Sequence, residues 1–131
     1  MDYRLVFNEH PAFTRKLDKF CSKQHDEKAL ERLKKLLTEH FDKTNQFQLS
    51  ERILRRINNI GTNIEAYKVN MVVVGLKPGQ FPRICFWRLG IQIYFLCFGS
   101  HIDNYRDSEL KDEVKKRICE IAGQEGLEVE V

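Results

Sequence analysis

Apolar residues recur with a helical period in two segments near the start of the chain. From Pro11 to Cys21, and again from Asp26 to Phe41, they return every three or four positions. This spacing gathers apolar side chains on one face, so each segment predicts an amphipathic helix. Pro11 suits the first turn of the first helix, and Asp26 is the expected N-cap of the second.

A third helix is predicted between Ser50 and Gly61. Ile53, Leu54 and Ile57 fall on one face of a helix at this place in the chain. Ser50 is a favourable N-cap, and Gly61 is a typical helix end. The exposed side of this helix would carry three arginines that suit a solvated surface: Arg52, Arg55 and Arg56.

Strand-like periodicity opens the chain and returns in its second half. The opening segment is Tyr3–Phe7, and the later segments are Tyr67–Val74, Arg83–Arg88 and Ile91–Phe98. Alternating or continuously apolar runs of this length, rich in Val, Ile and aromatic residues, are typical of strands. Leu89-Gly90 favours a tight hairpin, so the last three strands are predicted to form an antiparallel meander.

A final helix is predicted to begin at Asp107 or Ser108 and to end near Gly123. The tail that follows, Leu127–Val131, fits either an added edge strand or a disordered end. Taken in order, the elements are a strand, helices, three strands and a helix. This order indicates one α+β domain over residues 1–131, with an expanded helical region at about residues 26–62.

Composition places the chain among ordinary globular proteins. It has 131 residues, of which 42% are hydrophobic and 31% are charged, and this apolar share excludes a disordered chain. No apolar run approaches the roughly 18 residues of a membrane span, and no signal-peptide pattern opens the chain. We therefore expect a cytoplasmic protein without membrane contact, while its oligomeric state is left open.

Sequence motifs for cofactors and metals are missing. The four cysteines stand far apart without a CxxC pair, and the four histidines show no ligand spacing. Glycine-rich nucleotide loops and the GxSxG and HExxH motifs are also absent from the sequence. We expect neither a cofactor nor a bound metal.

The net charge of +3 is unevenly distributed along the chain. Residues 50–102 contain seven Lys or Arg against two Asp or Glu, whereas residues 103–131 contain five against nine. A basic block of this kind favours an anionic partner such as nucleic acid.

Four residues of the basic block and the turn after it could carry chemistry: Lys68, Arg83, His101 and Tyr105. Because successive residues of a strand point to opposite faces, Arg83 and Arg88 cannot share a site unless a bulge intervenes, and Arg83 is the candidate. Cations that stabilise charge on phosphate oxygens, an imidazole and a stacking ring suit RNA cleavage by the ribose 2′-hydroxyl. The same residue types also fit an ordinary exposed sheet surface.

Several short segments resemble the RelE/ParE superfamily of bacterial toxins. Tyr3–Phe7 with Phe13–Leu17 is similar to the family's opening, and Tyr67–Met71 resembles its second-strand motif. Arg83–Phe86 resembles the next strand, and Phe98–Tyr105 resembles the segment before the last helix. The resemblance covers most of the chain and implies a RelE-like fold.

The resemblance also implies a function. Ribosome-dependent members are toxin components of type II toxin-antitoxin systems that cleave mRNA without a cofactor, and a cognate antitoxin protein covers them. By position, Lys68 would contact phosphate, Arg83 would stabilise the developing charge and Tyr105 would orient a base. His101 stands where those members often have Arg, and Asn70 stands where a second lysine is common.

The resemblance leaves a second function open. Some members bind a partner without cleaving RNA, for example as inhibitors of a topoisomerase. The nuclease hypothesis predicts that Lys68, Arg83 and His101 converge on one concave surface, whereas the binding hypothesis predicts scattered basic groups and an exposed apolar groove.

Overall fold

A computed structural model describes residues 3–99 and 107–131, which form three α-helices and a five-stranded sheet. The elements in chain order are β1 (Val6–Glu9), α1 (Pro11–Gln24), α2 (Ala29–Phe41), β2 (Leu54–Ile57), β3 (Glu65–Asn70), β4 (Arg83–Leu89), β5 (Gln92–Gly99) and α3 (Asp107–Glu125). The α+β class and the C-terminal helix are confirmed.

The sheet has the order β1-β5-β4-β3-β2 and is larger than the predicted meander. β3, β4 and β5 are antiparallel neighbours, as predicted. The meander is extended on both sides, because β2 pairs antiparallel with β3 and β1 pairs parallel with β5. A simple three-strand meander is therefore wrong as a description of the whole sheet.

The predicted helix between Ser50 and Gly61 is also wrong. Only a turn forms at its start, where the amide of Leu54 donates to the Ser50 carbonyl at 3.0 Å, and the chain then extends into β2. Leu54 and Ile57 lie in different hydrophobic clusters, as a strand requires. A set of only three apolar residues is compatible with the period of a helix and with that of a strand. The strand forms because pairing with the edge of β3 satisfies backbone groups that would otherwise lack partners. The helical part of residues 26–62 is therefore limited to α2.

Asp26 does not cap α2, which begins at Ala29. Its carboxylate accepts two hydrogen bonds from the Arg32 guanidinium, at 3.2 and 2.5 Å, and one from the amide of Val74 at 3.0 Å. The bonds from Arg32, followed by the bond from Val74, lower the pKa of Asp26 below its usual value. The residue thus joins the turn between α1 and α2 to the chain that follows β3.

The sheet separates two hydrophobic clusters. On one face, α1 and α2 pack through residues such as Leu37 against Phe86 of β4. On the other face, α3 packs through Ile118 against Trp87 and its neighbours. The main contacts of α3 with the sheet are made with β4 and β5, and Ile57 of β2 and Ala66 of β3 belong to the same cluster.

The C-terminal tail contacts the chain between β2 and β3. The amide of Thr62 donates to the Glu130 carbonyl at 2.9 Å in an isolated antiparallel bridge. A Cβ atom on Gly61 would lie 2.0 Å from the same carbonyl oxygen, so the close approach requires glycine. The tail thus forms a single bridge and does not add an edge strand to the sheet.

No helix within the described residues combines the length and the apolar character that crossing a membrane requires.

Candidate functional site

Two of the four predicted site residues come together in the fold. Lys68 on β3 lies opposite Cys85 on β4, and Arg83 on β4 lies opposite Asn70 on β3. The two cations are therefore diagonal neighbours on adjacent strands and project from the same face. His101 and Tyr105 lie outside the described residues, so the structure does not place them.

Lys68 and Arg83 line one shallow depression of about 100 Å³, called the first depression here. Its full lining is Arg52, Ile53, Arg55, Lys68, Asn70 and Arg83. It lies where β2 begins and β3 ends, on the face of the sheet that α3 packs against. Strand alternation supplies the arrangement, since the residues between Lys68 and Asn70 and between Arg83 and Cys85 are the buried Val69 and Ile84.

The cations of the first depression have no counter-charge among the residues that the structure describes. No Asp or Glu is among its described lining residues, and none of its four cations forms a salt bridge within residues 3–99 and 108–131. Other cations of the protein are paired: Arg32 bonds to Asp26, and Arg117 lies 2.6 Å from Glu113. An unpaired group of cations in a concave surface raises the local concentration of anions.

Two backbone-directed hydrogen bonds fix the edge of this depression. The Arg55 Nε donates to the Glu51 carbonyl at 2.9 Å, and the side-chain amide of Asn70 donates to the Arg52 carbonyl at 3.4 Å. The bond to Glu51 uses only one of the N–H donors of Arg55, because a guanidinium has five. The remaining donors of Arg55 are available to an anion.

Arg88 faces the other side of the sheet, as the alternation predicted. There its guanidinium lies 3.2 Å from Glu65 and 4.6 Å from the centre of the Phe41 ring. An ion pair and a cation–π contact therefore hold Arg88 against the end of α2.

Sequence reasoning missed Arg52 and Arg55 as site residues. It placed both on the solvated side of a helix, whereas β2 brings Arg55 directly opposite Lys68. The available signal was the basic block of residues 50–102, which contains every cation of the first depression. Local periodicity favoured a helix at this place instead. It carries no information on the pairing of Arg55 with Lys68, since the two residues are thirteen positions apart in the chain.

The described part of the depression can bind and stabilise negative charge. Guanidinium groups form paired hydrogen bonds with phosphate oxygens, and an ammonium group acts as a mobile point charge. The lining contains no imidazole, thiol or carboxylate among the described residues, so these residues supply no proton-transfer group near neutral pH. No group of His, Cys, Asp and Glu suited to a metal ion occurs within the described chain.

Comparison of the chain with protein-family models, curated proteins and solved structures found no match. The charge and shape of the first depression are thus the observations that bear most directly on function.

Proposed function

We propose that this protein binds RNA through the first depression and acts as an endoribonuclease. The observation that carries the proposal is the convergence of Lys68 and Arg83, from different strands, with two further cations and no carboxylate among the described lining residues. A phosphodiester fits such a site because its charge is delocalised over two nonbridging oxygens that several donors can share.

The proposed reaction needs no cofactor. The ribose 2′-oxygen attacks the adjacent phosphorus, and the bond from phosphorus to the 5′-oxygen breaks. The 2′-hydroxyl gives its proton to a base, and the departing 5′-oxygen takes a proton from an acid. The products are a 2′,3′-cyclic phosphate and a 5′-hydroxyl end. Arg83 and Lys68 would stabilise the charge that grows on the nonbridging oxygens.

The roles of His101 in proton transfer and of Tyr105 in orienting a base are proposed from the sequence alone. His101 has the only side chain among the four candidates with an ordinary pKa near neutrality, and it follows Gly99, the register partner of Arg83, by two positions. The proposed role of Tyr105 is to stack on a base. The RelE/ParE resemblance adds the expectation that the RNA is mRNA on the ribosome and that an antitoxin protein covers the protein in the resting cell.

A non-catalytic binding function is the second candidate, and a specific observation favours it. The described lining residues hold charge without a proton-transfer group. Such a site would bind a nucleic acid or an acidic protein surface without cutting it, as a partner-binding module or a topoisomerase inhibitor would.

The test uses the purified full chain and a labelled single-stranded RNA, with and without ribosomes. We expect Lys68→Ala and Arg83→Ala each to weaken RNA binding by roughly tenfold, since each loses a charge-assisted contact. Arg83→Ala is also expected to slow cleavage by about a hundredfold. His101→Ala is expected to retain binding and lose cleavage, and Lys43→Ala, an exposed loop variant, serves as the control.

The products decide between the two candidates. Cleavage in the presence of EDTA, with cyclic phosphate ends and a block by 2′-deoxy substitution, would support the nuclease. RNA binding without cleavage under every condition would leave only the binding function. Induced expression provides the cellular test, because growth arrest without new mRNA ends would point to a different target.

A further inference from the structure

A second depression of about 200 Å³ adjoins the first depression on the side of α3. Its lining is Arg55, Arg56, Ile57, Asn58, Lys68, Leu110 and Lys111. Arg55 and Lys68 line both depressions, so the two form one continuous surface that runs from β4 across β3 and β2 to the first turns of α3.

The second depression adds one cation, Lys111 of α3, to this surface. Arg56 also lines the depression, but it lies opposite Tyr67 in the register, so its side chain is on the other face of the sheet from Arg55 and donates to the Ile64 carbonyl at 3.4 Å. Lys111 forms no salt bridge within the described part of the chain, and no carboxylate is among the lining residues described. Five cations therefore share the combined surface: Arg52, Arg55, Lys68, Arg83 and Lys111.

The junction of the two depressions is electrostatically unfavourable in the free protein. Arg55 and Lys68 are direct partners in the register of β2 and β3, so two like charges project side by side from the same face. Like charges in this position destabilise a sheet. An anion bound between them would remove that repulsion and be attracted by both.

The remaining lining of the second depression suits the uncharged part of a nucleotide. Ile57 and Leu110 are half-buried and present aliphatic surface, and Asn58 adds an exposed amide. No aromatic ring lines either depression among the described residues. Recognition at this surface would thus rely on the backbone of the strand and show little preference for base sequence.

We infer that the second depression is a separate subsite that binds the neighbouring phosphate of a single-stranded RNA. In this arrangement Lys68 and Arg83 hold the phosphate that reacts, and Arg55 and Lys111 hold the next one. Ile57 and Leu110 pack against the intervening sugar or base. The inference rests on the proposed function, because it assumes that the first depression binds RNA.

The test compares a Lys111→Gln variant, called the subsite variant, with a Lys116→Gln control that removes the same charge from an exposed position of α3 outside both depressions. RNA oligonucleotides of two to eight nucleotides are titrated at several salt concentrations. We expect the subsite variant to bind the longer RNAs about tenfold more weakly and to lose most of the gain in affinity with length. Its salt dependence should be shallower by about 0.7 in log–log slope, the value for one phosphate contact on a single strand.

Steady-state cleavage supplies the readout that a general loss of charge would not give. Loss of a subsite that binds the substrate equally in the ground and transition states raises KM and leaves kcat unchanged. We expect this pattern for the subsite variant and a fall in kcat for Arg83→Ala.

The outcomes separate the subsite from the function. If the subsite variant keeps the length and salt dependence of the wild type while Lys68→Ala and Arg83→Ala lose RNA binding, the subsite is refuted and the proposed function stands. If the wild type binds no RNA at low salt, the proposed function fails and the subsite fails with it.

Discussion

Replacing Lys68 with glutamine should stabilise the protein. Lys68 lies directly opposite Arg55 across β2 and β3, and it is a diagonal neighbour of Arg83. Lys68→Gln keeps most of the side-chain stem and removes one charge from this group. We expect a gain in stability because the repulsion within the group disappears.

The size of the gain follows from the register. Side chains of directly paired residues begin about 5 Å apart, and charges about 6 Å apart in water repel by roughly 0.7 kcal/mol. Exposed side chains can move apart, so about 0.5 kcal/mol is a realistic share. For a chain of 131 residues, that amount raises the melting temperature by about 2 °C.

Thermal unfolding at low and high salt measures this effect. At an ionic strength of 1 M the screening length falls to about 3 Å, so the melting temperatures of Lys68→Gln and the wild type should converge. Lys43→Gln, an exposed loop variant, should leave the melting temperature unchanged at both salt concentrations. A Lys68→Gln variant that is less stable than the wild type at low salt would refute the reasoning, since the side chain would then stabilise more by packing than it costs by repulsion.

Two further predictions concern contacts away from the basic surface. Asp26→Asn should lower the free energy of unfolding by about 1 to 2 kcal/mol at pH 7, because charged hydrogen bonds are lost. The pKa of Asp26 is lowered in the folded state, so the difference from the wild type in urea denaturation should shrink as the pH falls below about 4; a difference that is the same at every pH would contradict this. Gly61→Ala should displace the Glu130 carbonyl and expose the Thr62 amide to hydrogen exchange, whereas Gly79→Ala, whose Cβ would meet open space, should not. Undiminished protection of the Thr62 amide in Gly61→Ala would contradict the prediction, because the hydrogen bond to the Glu130 carbonyl would then be retained.

The edge strand β2 shows why the middle of the fold could not be predicted from the sequence. Ile53, Leu54 and Ile57 suit a helical face, and four residues are too few to separate the helical period from that of a strand. The deciding interaction is the backbone pairing of β2 with β3. That pairing depends on a partner distant along the chain, and local propensity carries no information about it.

Periodicity by itself determined α1, α2 and α3, because each helix buries one regular face against the core. The continuous apolar runs of β4 and β5 determined their hairpin, since both strands are buried on both faces of the sheet. Periodicity also predicted that Arg83 and Arg88 point to opposite faces, since successive residues of a regular strand alternate between the two faces of a sheet. Only the tertiary structure decided which cations meet. Arg55 and Lys68 are thirteen positions apart in the chain and become neighbours through the register of two strands, and Lys111 joins them because α3 begins beside that sheet edge. Charge counts along the sequence record how many cations a segment holds, whereas strand pairing and helix packing decide whether those cations form one surface.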